Sequence, residues 1–161
     1  MAENFVLILG DLQGESKIKP DGKSNGIDLD SWSWGMSNPS SFHSGEGGGG
    51  GKVDVHDMAV TKKTDKCTPV LMQYCCSGKH YDKADLYCMK AGGDKPMVYM
   101  HVEMKKVFVT EVSPGSAGES LTERVTLKFK EMTIDYTPQS DDGSAGGKVS
   151  HSWKIAENVQ A

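Results

Sequence analysis

The side chains with the greatest chemical potential are the cysteines and histidines, and their spacing decides what they could do. The cysteines are Cys67, Cys75, Cys76 and Cys88, and His80 lies between the last two. No two cysteines are separated by two residues, and adjacent cysteines on a helix diverge by about 100°. We therefore expect no metal site, and we interpret the thiols as small buried hydrophobic groups.

The sequence also has no pattern that is typical of hydrolases. The five histidines are scattered and form no H-E-x-x-H pair. Pro114 occupies the position where a nucleophile elbow centred on Ser116 would need its first glycine. We assign no catalytic residue and no cofactor. A catalytic cysteine would need a histidine placed beside it by the fold, and the sequence alone does not show such a pair.

A glycine run raises the possibility of a phosphate-binding loop. The run consists of Gly47, Gly48, Gly49, Gly50 and Gly51. In the Walker pattern a glycine stands where this chain has Glu46, and a serine or threonine stands where it has Val53. We interpret the run as a flexible or interface loop and exclude a nucleotide site.

Composition narrows the class of protein further. The chain has 161 residues, enough for one domain spanning 1–161, and 18 basic against 22 acidic residues give a net charge of -4. Arg124 is the only arginine, which argues against nucleic-acid binding. No apolar stretch approaches the ~18 residues of a membrane span. The apolar run Phe5–Leu9 lacks the basic flank of a cleaved signal, so we expect synthesis in the cytoplasm.

Alternating apolar residues predict nine strands and hence an all-β sandwich or barrel. The predicted strands are Phe5–Leu9, Ile27–Trp34, Val53–Lys62, Ala84–Cys88, Val98–Lys105, Val107–Val112, Arg124–Lys130, Met132–Tyr136 and Val149–Ile155. In the third strand the apolar phase changes near His56 and Asp57, which predicts a bulge. Three segments without periodicity are expected to be loops: Ser37–Lys52, Ser113–Ser120 and Pro138–Lys148.

One short helix interrupts the strands. Thr68 is expected to cap its N-terminus, Pro69 to occupy its first turn and Gly78 to end it. Nearly every side of the segment is apolar, so the helix must be covered on most faces. Its residues Leu71 and Tyr74 are therefore expected to be covered, either at an interface between subunits or rings or against the sheets.

The predicted strand Ile27–Trp34 has two chemically different sides. Alternation places on one side Asp28, Asp30, Trp32 and Trp34, and on the other Ile27, Leu29, Ser31 and Ser33. Tryptophan side chains are more often part of a core. We expect the serines to belong to a wall that faces water.

Several motifs, in this order, resemble those of the haemolysin-coregulated protein (Hcp) family, the tube subunits of the bacterial type VI secretion system. They are Gly14-Glu15-Ser16, Ile27-Asp28-Leu29, Ser31-Trp32-Ser33-Trp34-Gly35-Met36-Ser37, Asp65-Lys66-Cys67-Thr68-Pro69, Ser77-Gly78-Lys79-His80, Lys90-Ala91-Gly92-Gly93 and Leu121-Thr122-Glu123. The resemblance implies two packed β-sheets closed like a barrel, with one helix. It also implies a homohexameric ring that stacks into a tube inside a contractile sheath, with a spike protein at the tip.

The resemblance further implies export without a cleaved signal and carriage of small effector proteins in the lumen of the ring. It places Ser33 on the lumen wall, to which strand alternation adds Ser31. It also places the loop with Phe42 and Gly47–Gly51 where subunits or successive rings meet. We interpret the chain as a structural protein without enzymatic activity; the alternative is a carrier or export chaperone for effectors.

Overall fold

The computed structural model describes residues 3–39, 52–91, 96–139 and 146–161. Within these ranges the chain forms eleven strands, one α-helix and one 3₁₀ turn. The strands are β1 Glu3–Leu9, β2 Ile27–Leu29, β3 Ser31–Ser33, β4 Met36–Ser37, β5 Asp54–Val55, β6 Met58–Lys63, β7 His80–Lys90, β8 Met97–Ala117, β9 Ser120–Tyr136, β10 Val149–Lys154 and β11 Val159–Gln160. The helix α1 is Thr68–Ser77 and the 3₁₀ turn is Pro20–Gly22. The prediction of a mostly β fold with one short helix is confirmed.

The strands form two sheets of very different size. Nine strands make one antiparallel sheet in the order β11-β10-β9-β8-β7-β1-β2, and β6 joins it by pairing with both β9 and β3. Strands β4 and β5 form a separate two-stranded sheet. The sequence predicts two packed sheets, whereas the structure has one large sheet of nine strands and a small one of two.

The expected closed barrel is not found, because the ladder is interrupted at Asp30. Strand β2 pairs with β1, whereas β3 pairs with β6. Between them the backbone N–H of Asp30 donates to the carbonyl of Thr61 over 2.8 Å. At this residue the chain stops pairing with β1 and starts pairing with β6, so no continuous ladder closes the sheet.

The same interruption reverses the sides of the strand. Ile27 and Leu29 are buried, but Ser31 and Ser33 are exposed. The sequence-based assignment of all four residues to one side is therefore wrong. Alternation continues only while a strand keeps its twist and its partner, and both change at Asp30.

The strand predicted over Val53–Lys62 is also divided. Strand β5 pairs with β4, and β6 pairs with β3 and β9. The expected change of phase at His56 and Asp57 is present, but it is a break between two sheets and not a bulge within one.

Strands β8 and β9 form one long hairpin that joins segments predicted to be separate. Part of the predicted loop Ser113–Ser120 is paired, since Ser113 lies opposite Arg124 and Ala117 opposite Ser120. The turn uses Gly118 with a φ of 64°. These small polar residues are exposed on both sides of the hairpin, so no alternation in hydrophobicity marks them as a strand.

Helix α1 ends as predicted but begins differently. Gly78 adopts the left-handed conformation, and its N–H donates to the carbonyl of Tyr74 over 3.0 Å. Thr68 is the first helical residue and not the N-cap, a position held by Cys67. The Thr68 hydroxyl is occupied elsewhere, because it donates to Glu123 over 2.5 Å.

The main core lies between the folded parts of the large sheet and α1. Its fully buried members include Leu7, Leu86, Val102, Met104 and Leu127. A second, small cluster of Ile8, Tyr87 and Met89 lies on the other side of β1 and β7. Burial of these side chains supplies most of the stabilisation of the fold.

Candidate functional site: a hydroxyl-rich sheet face

Two rows of side chains, all polar except the buried Ala59, cross β3, β6, β9 and β8 on the side of the sheet away from the core. Residues directly opposite each other on antiparallel strands share one side of a sheet. The first row is Ser31, Thr61, Arg124 and Ser113, and the second is Ser33, Ala59, Thr126 and Glu111. We call these eight residues the hydroxyl face, because most of them carry a hydroxyl group.

The opposite side of the same strands belongs to the core. Trp32, between the two exposed serines, is half-buried and packs against the core. Val60 and Val125, on the neighbouring strands, are each 1% exposed. The serines therefore lie on the solvent side and the tryptophan on the core side, as strand alternation predicts for this segment.

The hydroxyl face carries one ion pair. The Nε of Arg124 lies 3.1 Å from Oε1 of Glu111, and the two side chains are 62% and 45% exposed. The Thr126 hydroxyl donates to the same oxygen over 3.4 Å, and the Thr110 hydroxyl donates to the carbonyl of Thr126 over 3.1 Å. This surface can form hydrogen bonds and ionic contacts with a partner.

A buried ion pair lies directly beneath the hydroxyl face. Lys62 and Glu123 are opposite each other on β6 and β9, with Nζ 3.3 Å from Oε2 and side chains 1% and 0% exposed. The Lys62 ammonium also donates to Asp65 over 3.0 Å and to the carbonyl of Lys63 over 2.9 Å. Sequence analysis missed this pair, although both residues follow the inward parity of Val60 and Val125.

The buried pair also holds the start of α1. Glu123 accepts the Thr68 hydroxyl, and Asp65 accepts the backbone N–H of Cys67 over 2.9 Å. The strands of the hydroxyl face and the helix are thus joined by one polar network. Among the described residues, Oε2 of Glu123 accepts no hydrogen bond, and the Lys62 ammonium 3.3 Å away is its charged neighbour. The remaining contacts of the network favour one arrangement of its elements.

The two helix residues predicted at an interface differ in position. Leu71 is 1% exposed within the chain's own core, so the structure does not leave it available to a partner. Tyr74 is half-buried and stacks on Tyr81, with ring centroids 4.2 Å apart. Burial raises the pKa of Tyr81 well above its ordinary value. Of the two expected arrangements, Leu71 therefore has the second: the chain's own core covers it, and it is not at an interface.

Cys67 and Cys88 are buried as expected, but Cys75 is half-buried and Cys76 is exposed, so the interpretation of the thiols as buried groups is wrong for Cys76. Cys75 and Cys76 lie on α1, and Cys88 is buried on β7. Cys67 is buried and its thiol donates to the carbonyl of Gln13 over 3.2 Å. Burial raises the pKa of Cys67 to about 11 and that of Cys88 to about 12, which keeps both thiols protonated at neutral pH.

Comparison with known proteins identifies the family. The family model "Type VI secretion system effector, Hcp" matches residues 5–136, most of the chain. The chain belongs to the Hcp family. Protein hcp1 of Pseudomonas aeruginosa is 48% identical over 164 residues, covering 100% of both chains. The family assignment made from the sequence motifs is confirmed.

Solved structures of a type six secretion system protein and of an Hcp protein share the fold. The structure of a type six secretion system protein superposes with a TM-score of 0.90 at 26% identity, covering 99% of this chain and 100% of that one. Hcp1 from Salmonella typhimurium gives a TM-score of 0.81 at 29% identity, with 100% of both chains covered.

Three further predictions concern the glycine-rich loop, a metal site and a membrane span. The interface residues Phe42 and Gly47–Gly51 lie outside the described residues. Among the described residues, no group of three or more potential ligands could hold a metal ion. In the same ranges no helix is both long and apolar enough to cross a membrane.

Proposed function

We propose that this Hcp protein is a structural subunit of the type VI secretion tube, with a single tube domain spanning residues 1–161. Six copies form a ring, rings stack into a tube, and a contractile sheath propels the tube with a spike protein at its tip. The tube is then exported without a cleaved signal. Membership of the Hcp family and similarity to Protein hcp1 over both full lengths support this proposal.

The hydroxyl face is proposed as the wall of the lumen that contacts effectors. The observation that carries this assignment is that Ser31, Ser33 and Ser113 are exposed on the side of the sheet away from a fully packed core, with the half-buried hydroxyls of Thr61 and Thr126 between them. Ser31 and Ser33 stand at its edge on β3, and they leave room close to the backbone for a passing protein. The same surface supports the second function, carriage of small effectors within the ring.

Contacts between subunits are proposed for two places. Tyr74 lies on the partly exposed side of α1, and Leu71 supports the helix from within. Phe42 and Gly47–Gly51 are proposed to contact a neighbouring subunit or ring on sequence grounds alone, because glycine lets a partner backbone approach closely.

Two measurements test the proposal. Native mass spectrometry of the purified chain at micromolar concentration should give a hexamer, and only monomer or dimer would contradict it. Ser33→Gln should leave the hexamer intact and reduce the co-purification of effectors, because a longer side chain obstructs the wall. Ser24→Gln is the matched control, since Ser24 is exposed in the segment before β2. Equal loss of effectors in both variants would refute the role of the hydroxyl face.

A further inference from the structure

The outward side of β9 is basic, although the chain as a whole is acidic. Residues of one parity point outward: Thr122, Arg124, Thr126, Lys128 and Lys130. Residues of the other parity, from Glu123 to Phe129, are buried. We call Arg124, Lys128 and Lys130 the basic row. The first of them belongs to the hydroxyl face, and the two lysines extend that face along the same strand.

Little negative charge offsets the basic row. Glu111 pairs with Arg124, and no other described carboxylate lies within 4 Å of the three cations. Several lysines elsewhere are paired: Lys83 lies 3.3 Å from Glu103, and Lys148 lies 3.8 Å from Asp135. Glu111 offsets Arg124, so the excess positive charge of the basic row lies at Lys128 and Lys130, on a chain whose net charge is -4.

The positive charge ends where β6 meets an acidic crevice. Lys63 also points outward, but it lines a crevice with Glu15, Asp28, Asp30 and Asp65. Its charge is offset there, so we do not count it in the basic row. The excess positive charge is confined to β9 and lies beside the serines and threonines.

We infer that the basic row selects acidic protein cargo by binding surface carboxylates. This inference rests on the proposed function, in which the hydroxyl face lines the lumen. The guanidinium of Arg124 can donate two parallel hydrogen bonds to one carboxylate, and the lysines add attraction that depends less on geometry. The neighbouring hydroxyl groups hydrogen-bond to either donors or acceptors of the cargo. Repetition around a ring would multiply these weak contacts.

The chemistry of the face favours protein over nucleic acid as the partner. Single-stranded nucleic acid is usually held by cations together with exposed aromatic rings on which bases stack. Trp32 points into the core from the strand that bears the two serines, and Phe129 is buried on β9. Phe108, opposite Lys128 on β8, is half-buried, and its ring packs against His80 with centroids 5.3 Å apart. With one arginine and no fully exposed aromatic ring among the described outward positions of these strands, the face offers bases little to stack on.

Peptide binding tests the inference directly. The triple variant Arg124→Gln, Lys128→Gln, Lys130→Gln removes the basic row. Its matched control, Lys17→Gln, Lys19→Gln, Lys105→Gln, removes the same charge from exposed positions elsewhere. The probe is a fluorescein-labelled poly-glutamate peptide of about ten residues, titrated by anisotropy at low and at physiological salt. A poly-lysine peptide and a single-stranded DNA of similar length are titrated in parallel.

The unmodified chain and the control should bind poly-glutamate with similar affinity, and the basic-row variant should bind at least about tenfold more weakly. Equal weakening in both variants would show a general effect of net charge and overturn the inference. Tighter binding of DNA than of poly-glutamate would overturn the choice of partner. Hexamers that do not bind poly-glutamate would refute the inference alone. Absence of hexamers would refute the proposed function, while the titration still decides whether the basic row binds carboxylates.

Discussion

Replacing Lys62 with methionine should destabilise the chain by about 3 to 5 kcal/mol, the usual cost of leaving a buried charge without its partner. The ammonium contacts carboxylates of Glu123 and Asp65 and one backbone carbonyl. Its removal leaves the Glu123 side chain, 0% exposed, facing another carboxylate in the interior. Glu123→Leu should cost less, because Lys62 keeps Asp65 as a partner and that side chain is 14% exposed.

The double variant Lys62→Met, Glu123→Leu tests whether the two buried charges are energetically coupled. Two apolar side chains can fill the site, and Asp65 keeps its hydrogen bond from Cys67 and some contact with water. We therefore expect the double variant to be more stable than Lys62→Met alone, with a coupling of about 2 kcal/mol or more. Urea unfolding followed by tryptophan fluorescence gives each free energy.

A surface pair provides the control for this experiment. Lys154 lies 3.9 Å from Glu157, with side chains 39% and 64% exposed, so Lys154→Met should change stability by less than about 1 kcal/mol. If the cost of the double variant equals the sum of the two single costs, the buried pair is not coupled. If Lys62→Met proves too unstable to purify, the double variant alone is the test: it should fold, and its failure to fold would show that the reasoning is wrong.

Two further predictions concern packing and thiol chemistry. Gly10→Ala should lower the free energy of unfolding by about 2 to 4 kcal/mol, because an added methyl group would lie 2.5 Å from the ring of Tyr81. Gly22→Ala, where φ is also positive but the surrounding space is open, should lower it by about 1 kcal/mol. Equal shifts of the melting temperature in the two variants would contradict this. At pH 8 a thiol reagent should modify the exposed Cys76 rapidly, but Cys88 only after unfolding, because burial raises the pKa of Cys88 to about 12. Fast modification of Cys88 in the native chain would contradict this and show that the core around Cys88 opens.

Much of the fold follows from local sequence patterns. The alternation in β7, β9 and β10 predicts their existence, and Pro69 and Gly78 mark the ends of α1 correctly. The break at Asp30 is different in kind. It depends on which neighbour each half of the segment pairs with, and no local pattern contains that information. The extended tip of the β8–β9 hairpin was missed for a related reason, because it has no buried side.

The candidate site was predictable only in part. The sequence marks Ser31 and Ser33 as solvent-facing, but it assigns Arg124 no position beside them. Their juxtaposition requires the pairing of β3 with β6 and of β6 with β9, which brings together residues about ninety positions apart. Such long-range register is set by the whole sheet and by how its core packs.

The buried pair and the hydroxyl face are two consequences of one register. A shift of β9 by one residue would turn Arg124 and Lys128 into the core and expose Val125 and Leu127. Hydrophobic burial already opposes that shift. Lys62 opposes it further, because only the observed register places Glu123 opposite its ammonium inside the sheet. A buried charge pair is a weak source of stability, but it penalises every register that separates its members. The polar side chains proposed to meet cargo are therefore held outward partly by two charges that no cargo can touch.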